Sequence, residues 1–489
     1  MKDLKSINNG NNKKSELFRE SDESRHSKLT YMSFSTYNFA GSFVVSAQFL
    51  FLFFFYEAVI GLNALYIAGA LTIAALWDAF NDPLVGYLTD RNTRLTKRLG
   101  RRFPWILLGI IPWCFSLLLI YLPPEVDPAN NAWFLFSWLA LSLCVFDTFH
   151  SLIYVNIVHL RADKFRTESE RRTLASIYTP IDIFGRVFGM LLPPILISFG
   201  TGREGYVFMA IVISLIVFIA SLIFLPGTRE DQVMIKRYYA NEQENKIGFL
   251  EGMKESIKLR SFIVFIIAFT AFQIVAEMLT SNAIYVVTFV LRVDPATTTL
   301  MFALFLLGAI VSVPFWVWLA KKLDNNKKTM TIGGFSLCIA LIPMTFFQTI
   351  LDFFIFVFIL GFSLGCWWAL FLPVIQPNVM DEFVVRIKKD QKGVLIGLVT
   401  FIIRLTSTIS VIIFALVHTL TGFVPGYHTY EGLEGAVDNI ELVLLGIRLL
   451  MGIIPMVIIL IGTLIFWRFY PLTQDVVLEN KAKLKELGF

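Results

Sequence analysis

The chain has 489 residues, of which 56% are hydrophobic and only 16% are charged. That composition is too apolar for a water-soluble protein and is typical of an integral membrane protein. With 48 phenylalanines and a net charge of only +5, it excludes a disordered chain and a nucleic-acid-binding protein whose basic charge covers a folded surface. The four cysteines lie inside apolar runs at no metal-ligand spacing, which argues against a disulfide scaffold or a zinc site.

Residues 1–30 are polar and charged and are predicted to form a cytoplasmic N-terminal tail. They lack the apolar stretch of a cleaved signal peptide, so we expect the chain to insert through its own helices. Beyond the tail, twelve apolar windows are each long enough to cross a bilayer core of about 30 Å as a helix. They run approximately over residues 31–57, 63–90, 104–122, 132–159, 175–199, 205–225, 261–289, 297–320, 329–349, 352–380, 392–421 and 440–470.

Lysine and arginine are unevenly distributed between the predicted loops. The loops after the second, fourth, eighth and tenth windows contain 19 basic residues, whereas the odd-numbered loops contain only Arg203 and Arg292. Because basic residues are retained on the cytoplasmic side, this alternation predicts a multi-pass plasma-membrane protein with both termini in the cytoplasm.

The longest polar interruption, residues 226–260, follows the sixth window and is predicted to be a cytoplasmic linker. It separates an N-terminal six-helix half, residues 31–225, from a C-terminal six-helix half, residues 261–470. Residues 471–489 are predicted to form a cytoplasmic C-terminal tail.

A weak internal repeat supports a duplication of the two halves. Pro83 precedes the charged pair Asp90-Arg91 by seven residues, and Pro314 precedes Lys321-Lys322 by the same interval. The predicted fold is therefore an all-α membrane protein of two pseudo-repeated halves, the arrangement of secondary transporters with a site between the halves. The sequence contains no recognisable catalytic motif, so we expect a protein that is not an enzyme.

Two carboxylates stand out inside the second window. Asp78 and Asp82 lie four residues apart, hence on one helical face, with the amide of Asn81 beside them. An ionisable group inside a span costs about 2.5–3.5 kcal/mol on insertion scales, so we expect such a pair to have a functional or structural role. One interpretation is a hard-oxygen site for sodium or a proton; the other is a helix-end pair bonded to Arg91 or Arg94. We favour the cation site.

Five further residues are candidates for binding a substrate in a central cavity. The candidates are Asp147 and His150 in the fourth window, Glu277 in the seventh, Trp368 in the tenth and Arg404 in the eleventh. The alternatives are a buried pair with His150 or an arginine for Asp147, closure of a gate for Glu277 and Arg404, and an interfacial anchor for Trp368. For His150 the alternative is a histidine that is satisfied singly. Asp182 and Arg186 share a face of the fifth window, where a structural ion pair is at least as good an interpretation as substrate contact.

The second window and the loop after it carry a family resemblance. The loop residues Gly86, Asp90, Arg91, Arg101 and Arg102 look like the cytoplasmic gate signature of the major facilitator superfamily. The run Trp77-Asp78-Ala-Phe-Asn81-Asp82-Pro83-Leu-Val-Gly86, followed by Gly100-Arg-Arg-Phe-Pro104-Trp105-Ile, resembles the glycoside-pentoside-hexuronide:cation symporters, the melibiose-carrier branch of that superfamily. The resemblance covers nearly the whole chain.

The resemblance implies that Asp78, Asn81 and Asp82 hold sodium, lithium or a proton, with the two aspartates as the metal ligands. It also implies that Asp147 falls where sugar carriers have an acidic galactoside ligand, and Arg404 where some members have a lysine that links the sugar and ion sites. The chain departs from the sugar carriers at three positions, because Gly41, Ser42 and Thr179 stand where those carriers have charged residues.

The expected function is symport of a glycoside, pentoside or hexuronide with a cation by alternating access. The alternative is a sodium-coupled carrier of lysophospholipids or other amphiphiles, which sibling branches of the family transport; a non-transporting receptor or membrane enzyme is a third hypothesis. A closed polar cavity favours sugars, and a slot lined by phenylalanine favours lipids. The expected partners are a small-molecule solute, a monovalent cation and the lipid bilayer, with no nucleic acid, no cofactor beyond the coupling ion, and a monomeric chain.

Overall fold

The computed structural model describes residues 26–89, 96–165, 167–232, 234–235, 254, 256–388 and 392–486. Within these residues, twelve helices are long and apolar enough to cross a membrane, which confirms the predicted number. In chain order, α1 to α12 are Lys28–Ile60, Ala64–Thr89, Phe103–Tyr121, Pro128–Lys164, Ser169–Ile197, Arg203–Phe224, Arg260–Val290, Thr297–Leu323, Asn326–Thr345, Ile350–Ile387, Phe401–Thr421 and Ile440–Phe469.

Two further features concern the C-terminal part of the chain. The helical turns of α11 already begin at Lys392. Besides the short helices Thr96–Leu99 and Tyr430–Glu434, a further helix, α13, spans Gln474–Glu486 and packs against the end of α10. It occupies most of the predicted C-terminal tail, whereas most of the predicted N-terminal tail and linker lies outside the described residues. The boundaries of the two halves stay a prediction.

Local sequence sets where many of these helices begin. A side chain that accepts a hydrogen bond from the first free backbone N–H groups satisfies donors that have no partner inside the helix. At the start of α10, Thr349 and Asp352 form a reciprocal capping box. Single caps of the same kind are Ser27, Asp127, Thr167, Asn325 and Asn439.

The first and seventh helices change geometry at the same place along their length. An α-helical segment ends at Phe54 in α1 and at Tyr285 in α7, and a π-helical segment follows in each, Phe55–Ile60 and Val286–Val290. A third π-helical segment, Trp367–Ile375, lies in α10. We call the end of the molecule where α1 and α7 finish the distal end, and the end where they begin the proximal end.

Glycines allow the closest helix pairs to touch. An added Cβ at Gly185 or Gly189 of α5 would lie 2.6 or 2.5 Å from a backbone oxygen of α1. The same holds for Gly308 and Gly361, where α8 meets α10 at 2.3 and 2.1 Å. Many large apolar side chains outside these contacts are exposed, as a lipid-facing surface requires.

Candidate cation and substrate sites

The predicted cation ligands are joined to the other half of the chain by an arginine. Arg404 of α11 forms an ion pair with Asp78 of α2 through one guanidinium nitrogen, and its Nη2 lies 2.7 Å from Oδ2 of Asp82. All three side chains are only 19 to 23% exposed. A charge at this depth is costly unless it is paired, so the arginine explains how two carboxylates can stand inside a span.

A third carboxylate belongs to the same cluster. The amide Nδ2 of Asn81 donates to Oδ2 of Asp147 on α4 at 3.0 Å, and the carboxyl groups of Asp147 and Asp78 are close enough to interact. Asp147, expected to face a substrate, is therefore placed beside the predicted cation ligands. Two of the three carboxyl groups contact the Arg404 guanidinium, and the third, that of Asp147, contacts Asn81.

The cluster has the donor chemistry of a sodium site. The Oδ1 atom of Asp82 is buried and has no hydrogen-bond partner within the described part of the chain, and carboxylate and amide oxygens are the ligands that hard cations prefer. Arg404 nevertheless stands between the carboxylates here. Among the described residues, no group of three or more His, Cys, Asp or Glu side chains already has the arrangement of a metal site.

His150 is placed among aromatic rings. Its imidazole stacks against the rings of Phe146 and Tyr154 and lies 5.9 Å from that of Trp113. Ring contacts of this kind are favourable packing interactions. A role in substrate binding stays a prediction for this residue.

A cavity of about 180 Å³ lies between helices α5, α7, α8, α10 and α12. It is predominantly apolar and contains several phenylalanines and methionines. Its lining consists of Met190, Phe272, Gln273, Ala276, Leu279, Thr280, Met301, Phe302, Phe305, Val357, Leu360, Leu364, Trp368 and Met451. Of the predicted substrate residues, Trp368 lines this cavity directly.

Glu277 lies beside the same cavity, between the lining residues Ala276 and Leu279. Its Oε1 accepts a hydrogen bond of 2.7 Å from the hydroxyl of Ser407, one turn along α11 from Arg404. The carboxylate thus connects the cavity wall to the helix that carries the guanidinium.

The predicted cytoplasmic gate is described only in part. Asp90 and Arg91 lie outside the described residues, and Gly86 lies on α2 facing Val155 of α4. The backbone N–H groups of Arg101 and Arg102 donate to the carboxylate of Glu230, at 3.1 and 2.6 Å.

The Arg102 side chain makes a separate set of contacts. Its guanidinium donates to the Thr89 hydroxyl at 3.2 Å and to the side-chain oxygen Oδ1 of Asn156 at 3.5 Å. In the structure described here, Arg102 therefore connects the start of α3 to α2 and α4.

The structure shows the ion pair between Asp182 and Arg186 that their spacing suggested, and it adds contacts that the sequence did not link. The Ser42 hydroxyl donates to Asp182, and Nε of Arg186 lies 2.9 Å from the other oxygen of that carboxylate. The Arg186 side chain is 63% exposed although it lies midway along α5. A second such group is the buried cluster of Glu57, Tyr285 and His418 at the distal end, which no local pattern signals.

Twelve membrane-spanning helices, with charged residues at mid-depth joining helices α2 and α11, define a polytopic membrane transporter. The profile of the MFS/sugar transport protein family matches residues 34–474. The chain belongs to this family, and the predicted major facilitator fold and transport function are confirmed.

Curated relatives cover most of the chain. Sodium-dependent lysophosphatidylcholine symporter 1 of Gallus gallus is 25% identical over 468 residues, which are 87% of this chain and 83% of the relative. The human protein of the same name is 23% identical and covers 85% of this chain and 78% of its own length. The sphingosine-1-phosphate transporter MFSD2B of Xenopus tropicalis is 23% identical, and the match covers 85% of this chain and 82% of the relative.

Solved structures share the fold. A D-xylose-proton symporter superposes with a TM-score of 0.58 at 12% identity, over 91% of this chain and 97% of its own. A bacterial homolog of the human lysosomal transporter Spinster, in an inward-facing and unoccupied conformation, superposes with a TM-score of 0.59 at 14% identity. The superposition covers 92% of this chain and 96% of that structure. These likenesses concern the fold alone.

Proposed function

We propose that the protein is a sodium-coupled symporter of an amphiphile that carries a polar headgroup and an apolar chain, such as a lysophospholipid. The observation that carries this proposal is the cavity between α5, α7, α8, α10 and α12, whose lining is apolar apart from Gln273, Thr280 and the indole N–H of Trp368. A sugar presents many hydroxyl groups, each of which loses its water on binding and needs a partner. The cavity suits an alkyl chain better.

The names of the curated relatives support the same substrate class. Two of them are sodium-dependent lysophosphatidylcholine symporters and one is a sphingosine-1-phosphate transporter. Each of these substrates combines one long apolar chain with a charged headgroup. The first expectation, a glycoside, pentoside or hexuronide carrier of the melibiose branch, is accordingly the weaker candidate.

Charged groups near the cavity suit a headgroup that carries both signs. Glu277 and the face of Trp368 could hold a quaternary ammonium group, because a cation is attracted both by a carboxylate and by an aromatic ring. Arg186, one turn before the lining residue Met190 on α5 and with most of its side chain exposed, could hold a phosphate through charge-assisted hydrogen bonds.

Sodium would bind at Asp78, Asn81 and Asp82 in competition with Arg404. The guanidinium is paired with both carboxylates in the described state, so a cation that binds to them must displace the arginine. Since Arg404 and Ser407 lie on the same helix and Ser407 contacts Glu277, this release would connect the ion site to the cavity wall. Coupling between two such sites is typically about 1–3 kcal/mol.

The membrane orientation follows from the basic loops. We propose that the proximal end, which carries these loops and both termini, faces the cytoplasm and that the distal end faces outwards.

A cavity variant tests the substrate class. In lipid nanodiscs, a lysophosphatidylcholine should raise the unfolding temperature of the wild type, and sodium should enlarge that shift, whereas melibiose and uronides should not act. Replacing Ala276 by Leu fills the cavity and should weaken lysolipid binding by about tenfold.

The matched control for this variant is Ala276→Ser, which keeps the volume of the side chain and should bind like the wild type. Sodium alone should shift all three proteins equally, because Ala276 does not contact Asp78 or Asp82. A sugar that stabilises the wild type, with no effect of lysolipids, would overturn the amphiphile assignment.

A further inference from the structure

A buried polar cluster at the distal end joins the first six helices to the last six. Glu57 lies in the π-helical segment of α1, Tyr285 at the end of the α-helical segment of α7, and His418 near the end of α11. The Tyr285 hydroxyl donates to Oε2 of Glu57 at 2.5 Å, and Nδ1 of His418 lies 2.8 Å from the same oxygen. Each of the three side chains is at most 1% exposed.

The surroundings of this cluster exclude water. Aromatic rings from both the N-terminal and the C-terminal parts of the structure surround the imidazole and the phenol. They are the rings of Phe53, Phe54, Phe289, Phe414 and Phe423. In such an environment a charge-assisted hydrogen bond is strong, and an unsatisfied carboxylate is correspondingly costly. The cluster is therefore stable only while its three members stay together.

Backbone contacts reinforce this closure. The N–H of Gly426, in the segment between α11 and α12, donates to the carbonyl oxygen of Glu57 at 2.8 Å. Gly61, which caps the same π-helical segment, lies against Gly426, and an added Cβ would lie 3.4 Å from the Gly426 Cα atom, at van der Waals contact. Both glycines have positive φ, +91° and +94°, which only glycine adopts without strain.

We propose that Glu57, Tyr285 and His418 form a lock that closes the distal end of the transport path and holds the protein in the state described here. Glu57 belongs to the first six helices, whereas Tyr285 and His418 belong to the last six. A carrier of this fold exposes its site to the two sides in turn by moving one group of helices against the other. Opening of the distal end therefore separates Glu57 from both partners.

The direction of the effect of each substitution follows from this geometry. In the locked state, loss of one donor leaves the buried carboxylate short of a hydrogen bond. In the open state water replaces that donor, so the loss costs nothing there. Every substitution that removes a donor should shift the population towards the open state. The proposal requires that the protein is a transporter but does not depend on its substrate.

The rate of chemical labelling at the lock measures how often it opens. Thr288 lies three residues after Tyr285 and is 8% exposed. In a background without the four native cysteines, Thr288→Cys in nanodiscs is treated with a hydrophilic maleimide, whose reaction rate follows the open fraction. Tyr285→Phe and His418→Phe each keep a ring in place while they remove a donor to Glu57.

The matched control is Tyr121→Phe. Tyr121 is equally buried, and its hydroxyl donates at 2.9 Å to the carbonyl oxygen of Gln48, within the first six helices. We expect Tyr285→Phe to label about fivefold faster than the parent and His418→Phe at least as fast, with Tyr121→Phe unchanged.

Two results would overturn the lock. One is parent-like labelling of both Tyr285→Phe and His418→Phe in protein whose unfolding temperature shows that it is folded. The other is an equal acceleration in Tyr121→Phe, because that would indicate general loosening of the helices. Substrate and sodium are absent from the measurement, so its outcome is separate from that of the proposed function.

Discussion

At the scale of single residues, the position of Arg404 decides how the candidate ion site is understood. Its guanidinium pairs with Asp78 and Asp82, 326 and 322 positions away in the chain, and all three groups are mostly buried. The arginine stabilises the carboxylates when no other cation is present. In the proposed function, the same contact makes the arginine a competitor of sodium.

Replacing Arg404 by Gln should therefore destabilise the protein in a sodium-dependent manner. Without sodium, the two aspartates are left close together and unpaired, and we expect a loss of about 2 kcal/mol, below the cost of a fully buried charge because the site is partly exposed. Sodium should recover much of that loss. The measurement is the unfolding temperature in sodium and in potassium buffers.

Arg186→Gln is the matched control for this experiment, since it removes the partner of another aspartate, Asp182, outside the candidate ion site. Its stability should be the same in both buffers. Equal sodium dependence of Arg404→Gln and the wild type would show that the guanidinium and the ion do not compete.

The sequence supports part of this site and not the rest, for a physical reason. Asp78 and Asp82 can be recognised because a spacing of four residues within an apolar helix is a local pattern. The pairing of Arg404 with them, and of Asp147 with Asn81, depends on how separate helices pack, which no local pattern contains. Glu57 was missed because it lies at the end of a window, where a charge needs no explanation.

At the scale of helices, glycines set how closely the spans approach. Gly308 and Gly361 bring the backbones of α8 and α10 into contact, and α10 contributes Trp368 to the wall of the cavity. Close packing of this kind is a main source of helix association in a bilayer, where the hydrophobic effect between helices is absent.

Gly361→Ala should therefore destabilise the fold by about 2 kcal/mol, because the new Cβ would lie 2.1 Å from the Phe305 carbonyl oxygen and a backbone must move. Gly41→Ala is the comparison: its Cβ would lie 3.6 Å from the Tyr37 ring, an ordinary contact, so stability should stay within about 0.5 kcal/mol of the wild type. Chemical unfolding of the two variants in detergent measures the difference. Equal stability would contradict the assigned helix contact.

The helices themselves are predictable to a large degree. The seventh window, 261–289, differs by one residue at each end from the observed Arg260–Val290. Its π-helical segment is not predictable, since the residues Val286–Val290 suit an α-helix equally well and only the packing at the distal end selects the wider turn.

At the scale of the whole molecule, the described contacts join the two sets of six helices at mid-depth and at the distal end. Arg404 with Asp78 and Asp82 forms the first junction, and the lock at Glu57 forms the second. In the proposed mechanism, sodium acts on the first junction, and separation of the second opens the path on the side of the lock. Transport by alternating access requires that the two are coupled.

Sodium-driven uptake tests the central claim most directly. Proteoliposomes that contain the wild type should accumulate a labelled lysophosphatidylcholine several-fold faster with an inward sodium gradient than with potassium. Asp82→Asn should lose this stimulation, because it removes a charged ligand of the ion, while Asp438→Asn, at an exposed position in the segment before α12, should behave like the wild type. Undiminished sodium stimulation in Asp82→Asn would contradict the account.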